Sequence, residues 1–241
     1  MPNHNSVNRY CLISCRVLWR EFSLFASQSR NSIDPVFLKQ GLHEKPDNLR
    51  SALQETIDKI EDKFDAILLG YGLCSNGIEG ITARKTKIVV PRAHDCITFL
   101  LGSKERYKEY FDSHPGTYWY SPGWIETGAQ PGKERYELLL KSYAEKYGEE
   151  NAEYLMGMEQ NWFKTYSNAV FVDLGAGDSA YYKAYTKACA DWLKWKYEEL
   201  KGKSALIENL LSGNWTDEEF LIVNPGETII ATHDSKILGK R

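Results

Sequence analysis

The first hundred residues alternate short apolar runs with segments of helical period, and few architectures accommodate that alternation. RYCLISC (Arg9 to Cys15) reads as a short buried strand. PDNLRSALQETIDKIEDKF places Leu49, Leu53, Ile57 and Ile60 at helical spacing, with Asp47 or Asn48 as its cap. DAILLGYG stops at glycine and TKIVVPRAHDC stops at Pro91, so both read as strands. CITFLLGSKERYKEYF is helical from Asp95 onward, with a break at Gly102. This order predicts an α/β fold, an open and mostly parallel sheet with flanking helices.

The second half repeats the theme less regularly. GTYWYSPGW reads as a strand ending in a Pro-Gly turn, and residues 131–166 as two helices broken near Gly148. NAVFVDLGAGD runs from a strand into a glycine loop, and SAYYKAYTKACADWLKWKYEEL reads as one long helix. Short strands and a helix complete the chain. The boundary falls at Ser121–Pro131, giving a cysteine-bearing lobe over 1–125 and a second α/β lobe over 126–241; a single domain is the alternative. Thirty Lys and Arg against thirty-three Asp and Glu leave no basic face for nucleic acid. No apolar run reaches the ~20 residues of a membrane span. The opening MPNHNSVNR lacks the basic and apolar regions of a signal peptide, so a cytoplasmic protein is expected.

Five cysteines without such a signal suggest reduced thiols rather than a disulfide framework. Three of them, Cys15, Cys74 and Cys96, follow three successive predicted strands. In an open parallel sheet, ligands bind beyond the carboxyl ends of the strands. Neighbouring strands lie ~4.8 Å apart, so three side chains at adjacent ends can converge on one ion. Zinc and an iron–sulfur cluster both take thiolate ligands. Any one cysteine in an apolar run is more often core; three at equivalent places point to a metal site. Cys11, ~13 Å upstream of Cys15 at ~3.3 Å per residue, is expected in the core, as is Cys189 on its helix.

Around this trio, Gly70 and Gly72 permit close backbone approach, and Gly72 is expected at positive φ, beside Tyr71. Gly72 and Tyr71 are assigned to cofactor binding. His94 is offered as a fourth ligand or as the activator of a metal-free Cys96 nucleophile, whose thiol the start of the helix would acidify. Arg92 can bind a substrate carboxylate or phosphate in bidentate fashion, or else form a salt bridge at the surface. Asp95 is a candidate helix cap.

YGLC, HDCI followed by LLGS, and the late FLIVNPGE are together similar to the domain of unknown function 1638 family, over roughly Cys15 to Glu227. The resemblance implies a cytoplasmic α/β protein of anaerobic bacteria and archaea, encoded near corrinoid-dependent methyltransferase systems. It places the family's cysteines on Cys15, Cys74 and Cys96 and implies no settled reaction.

VFVDLGAGD also copies the first motif of S-adenosylmethionine-dependent methyltransferases. Too little chain follows it to complete that sheet, and Glu208 is the only clean acidic strand end for a ribose. Asp173 is instead expected to face the cleft and position substrate. The resulting expectation is a metal–thiolate protein, with zinc or a [4Fe–4S] cluster, acting on a small thiol or carboxylate in one-carbon metabolism. A corrinoid protein or a methyltransferase is its expected partner. The alternatives are a non-enzymatic protein that binds a corrinoid, a metal or a partner, and a metal-free cysteine nucleophile.

Overall fold

The structure, a computed structural model, describes residues 7–60 and 63–241. Residues 1–6, most of the opening used to argue against a signal peptide, lie outside the described residues, as do Glu61 and Asp62 of the expected helical run. The chain divides into two compact units, one within Met1–Tyr107 and Gly202–Arg241, the other Lys108–Lys201. These limits do not coincide with the Ser121–Pro131 boundary read from the sequence, because the last forty residues return to the first unit.

The first unit carries β1 (Arg9–Cys15), α1 (Trp19–Gln28), β2 (Ser32–Leu38), α2 (Pro46–Asp58), β3 (Ala66–Gly70), β4 (Ile88–Pro91) and α3 (Cys96–Leu101). The chain leaves it along α4 (Lys104–Ser113). The second unit holds β5 (Thr117–Tyr120), α5 (Pro122–Thr127), α6 (Lys133–Tyr147), α7 (Glu149–Glu159), β6 (Asn168–Asp173), α8 (Ser179–Leu193) and β7 (Lys196–Lys201). The return adds α9 (Ala205–Ser212), β8 (Phe220–Val223), β9 (Ile229–Ala231) and β10 (Leu238–Lys240).

The first unit's sheet has the order β2-β1-β3-β4-β8. β2, β1, β3 and β4 run parallel, and β8 closes the edge antiparallel to β4. Residues of β3 and β4 are buried on both faces, which is why their sequences are unbroken apolar runs rather than alternating ones. The chain steps from β1 to β2 in one direction, then crosses back over β1 to β3 and continues to β4. The direction therefore reverses between β1 and β3, and a crevice opens at the carboxyl ends of strands flanking such a switch point.

Helix boundaries follow local chemistry. Asp95 caps α3, its carboxylate accepting from the Ile97 amide at 2.9 Å, and Gly102 ends it at φ 87°. The cap expected of Asp47 or Asn48 is not made: Pro46 occupies the first position of α2, and Lys45 precedes it without a side-chain cap bond. The break near Gly148 separates α6 from α7 as expected.

Two sequence readings in the second unit need correction. Pro122 and Gly123 begin helix α5, because Ser121 caps it through the Trp124 amide. The long helix ends at Leu193: Lys194 takes φ 60°, and residues 196–201 become strand β7, parallel to β6. Tyr197 on that strand packs against the second unit's core. The second unit's sheet is β5-β6-β7, all parallel, over a core of Tyr120, Ala169, Phe171, Tyr182 and Cys189. Among the described residues no helix is long and apolar enough to cross a membrane.

Candidate functional site

Cys15 is the last residue of β1, Cys74 lies four residues beyond β3, and Cys96 is the first residue of α3, five beyond β4. Three adjacent parallel strands therefore deliver the three cysteines to the same edge of the sheet, at the β1/β3 switch point. Cys11 and Cys189 are buried, the latter in the core of the other unit.

The β3 and β4 loops are joined by backbone bonds. Leu73 N–H donates to Ala93 O at 2.8 Å and Cys74 N–H to His94 O at 2.9 Å. Gly72 is what permits this. A Cβ there would stand 2.7 Å from Asp95 N and 2.8 Å from Ala93 O, closer than real contacts allow. The close approach expected at Gly72 is thus to the neighbouring loop. The positive φ expected there falls instead on Cys74 (47°), Ser75 (57°) and Asn76 (64°), closed by Gly77 N–H to Cys74 O at 3.0 Å. Three consecutive non-glycine residues in this region cost about 1–2 kcal/mol each, so the surrounding bonds hold Cys74 in a conformation it would not choose alone.

The three thiols share one environment. Burial pushes all three upward: Cys15 above its ordinary value, Cys74 to about 12, Cys96 well above its ordinary value. The Asp95 carboxylate adds to the rise at Cys74 and Cys96, and the thiols raise one another. Cys74 and Cys96 each keep some residue surface exposed, but their sulfurs lie amid protein atoms that desolvate them. Opposing this, the amides of Val17 and Arg16 lie within range of the Cys15 sulfur and that of Gly72 within range of Cys74, each favouring thiolate. At Cys15 this falls short of a cap hydrogen bond of ordinary geometry. Tyr71, 3 % exposed, sits among all three sulfurs.

Burial first, and then the Asp95 carboxylate, push the Cys96 thiol in the direction opposite to the acidification expected from the helix start. His94 is exposed, its ring centred 6.2 Å from that of Tyr107. Tyr107 escaped the sequence reading: its hydroxyl donates to Asp95 Oδ2 at 2.9 Å, steadying the cap beside Cys96. A tyrosine eleven residues past the cysteine, beyond a helix break, carries no local signal of this.

Arg92 is not available to a substrate. It is 4 % exposed, and its Nε donates to Asp217 O at 2.7 Å. Nη1 donates to Lys236 O at 3.2 Å and to Leu238 O, and Nη2 to Asp217 Oδ1 at 2.9 Å. It fastens the β9–β10 segment to the sheet.

Asp173 belongs to the second unit and organises its glycine loop. Oδ1 accepts from Gly175 N–H at 2.8 Å and Ser179 Oγ at 2.9 Å, and Oδ2 pairs with Lys183 at 3.1 Å. Lys183 also pairs with Glu199 of β7 at 3.1 Å, an acidic residue near a strand end that the helical reading of 179–200 concealed. Burial raises the Asp173 pKa, but these donors outweigh it and hold the carboxyl below its ordinary value. A group lowered in the folded state stabilises above its unfolded pKa. The melting-temperature deficit of Asp173→Asn is accordingly expected in full above about pH 4 and to close as acid titrates the wild-type carboxylate. A deficit unchanged down to pH 2 would contradict this role.

Among the described residues, no group of three or more His, Cys, Asp or Glu side chains stands arranged to hold a metal ion. The fit to a metal rests on donor chemistry: three soft sulfur ligands in a desolvated setting, with main-chain amides within range of the Cys15 and Cys74 sulfurs. Cys15, Cys74 and Cys96 are the residues that would hold it, and neither Arg92 nor Asp173 would.

The fold and this edge define an α/β protein with a cysteine-bearing switch point. Residues 37–211 match the family model described as Protein of unknown function (DUF1638), and the chain belongs to that family. The match includes Cys74 and Cys96 and begins after Cys15, a shorter span than the resemblance suggested. No curated protein and no solved structure matches the chain.

Proposed function

We propose that the protein is a thiolate metal-binding protein whose ligands are Cys15, Cys74 and Cys96. The carrying observation is their delivery by three adjacent parallel strands to one desolvated switch-point edge. Ligation requires the thiolate forms, so the chain must release the thiol protons as the ion enters, and the amides near Cys15 and Cys74 stabilise the charge left behind. Zinc or a [4Fe–4S] cluster suits this donor set. Cys15, Cys74 and Cys96 would hold the ion, which would supply Lewis acidity to a small thiol or carboxylate. The one-carbon, corrinoid-linked setting rests on the family resemblance alone.

One observation favours a second reading, in which the protein binds without catalysing. The cation expected to hold substrate, Arg92, is bonded instead to the protein's own carbonyls and to Asp217. Anaerobic purification with elemental analysis tests the metal and separates the readings by colour. A colourless protein with about one zinc per chain or a brown one with iron and sulfide supports the thiolate site, and a red one indicates a bound corrinoid. Protein that carries no metal and takes up neither zinc nor iron contradicts the proposal.

A further inference from the structure

Tyr71 immediately follows β3, at the crevice between β1 and β3. Its hydroxyl is buried and, among the described residues, completes no hydrogen bond. Stranding a hydroxyl in this way costs about 1–3 kcal/mol. Its surroundings are sulfur: Cys15 first, then Cys74 and Cys96. It lies near enough to Cys15 to act on that thiol as a donor, without reaching the alignment of a full bond. A neutral thiol is a poor acceptor and a thiolate a good one. The main-chain donors near Cys15 come from Arg16 and Val17, and Tyr71 is the side chain that supplements them.

We infer that Tyr71 is a positioning residue of the metal site: its O–H donates to the Cys15 sulfur once that sulfur is a metal-bound thiolate. The inference rests on the thiolate reading above and adds a function for the stranded hydroxyl. It also accounts for a tyrosine where phenylalanine would pack equally well. Without metal the hydroxyl has no hydrogen-bond acceptor among the described residues; in the loaded protein it fixes the orientation of the Cys15 sulfur and disperses part of its charge.

The test is an anaerobic cobalt(II) titration of the reduced full chain, wild type against Tyr71→Phe, with melting curves of each form. Wild type should bind cobalt with sulfur-to-metal charge-transfer absorption. Tyr71→Phe should bind the same number of ions, roughly 10–100-fold more weakly, as loss of an outer hydrogen bond to a ligand does, with that absorption moved to longer wavelength. Metal-free Tyr71→Phe should melt at or above wild type, since no bond is lost. Equal affinity and spectrum would overturn the inference and leave the thiolate site standing. A metal-free variant melting well below wild type would overturn it too, by revealing a structural partner for the hydroxyl. A wild type that binds no cobalt would remove the thiolate reading together with the inference.

Discussion

Replacing Arg92 by alanine is expected to cost the first unit about 3 kcal/mol or more, because it strips one buried and two part-buried carbonyls of a charged donor at ~1.5–3 kcal/mol per bond. The guanidinium serves Asp217 O, Lys236 O and Leu238 O together with the Asp217 carboxylate. Its own main chain is bonded to Glu219 O at 2.8 Å, so side chain and backbone clamp the same returning segment. Asp217 is largely exposed, so the ion pair itself contributes modestly; the loss comes from carbonyls left without a partner and from the emptied volume. At roughly 2–4 °C per kcal/mol for a protein of this size, the melting temperature falls by about 6–12 °C. Limited proteolysis should then cut within 224–241 first. Arg92→Lys should recover little, since one ammonium cannot span three directions. An alanine variant with wild-type melting and protease resistance would return Arg92 to the list of residues free to act on a ligand.

This clamp also shows what the sequence could and could not convey. Arg92 stands two residues before His94 and four before Cys96, and spacing alone makes it look like part of their chemistry. Its partners are over 120 residues away, and no local pattern announces a contact of that range. The sheet was legible for the opposite reason. β3 and β4 are unbroken apolar runs punctuated by Gly70 and Pro91, and β1 is interrupted only by Ser14 after its exposed first residue, as burial on both faces favours. Strand β7 was not legible: KYEELK carries helix-forming residues, and only pairing with β6 makes it a strand.

The three cysteines could be assigned to one edge because their positions after successive strands do not depend on side-chain detail. What escaped was how the edge is held. Gly72 works through contact with a backbone twenty-odd residues on, and the left-handed turn at Cys74 to Asn76 contains no glycine in those three places to betray it. Asp173 was expected to face a substrate; its carboxylate is instead occupied by Gly175, Ser179 and Lys183 of its own loop and helix. Polar residues at strand ends serve loops more often than ligands, and the sequence gives no means of ranking the two.

The most direct test of the thiolate edge is the metal content of anaerobically purified single-cysteine variants. Cys15→Ser, Cys74→Ser and Cys96→Ser should each fall to about a tenth or less of the wild-type metal, since removing one of three soft ligands forfeits much of the binding free energy. Cys11→Ala and Cys189→Ala should keep it in full, because Cys11 is buried within β1, four residues before its carboxyl end, and Cys189 is buried in the second unit's own core. Wild-type metal in all three serine variants, or its loss from Cys11→Ala, would contradict the assignment of this edge as the metal site.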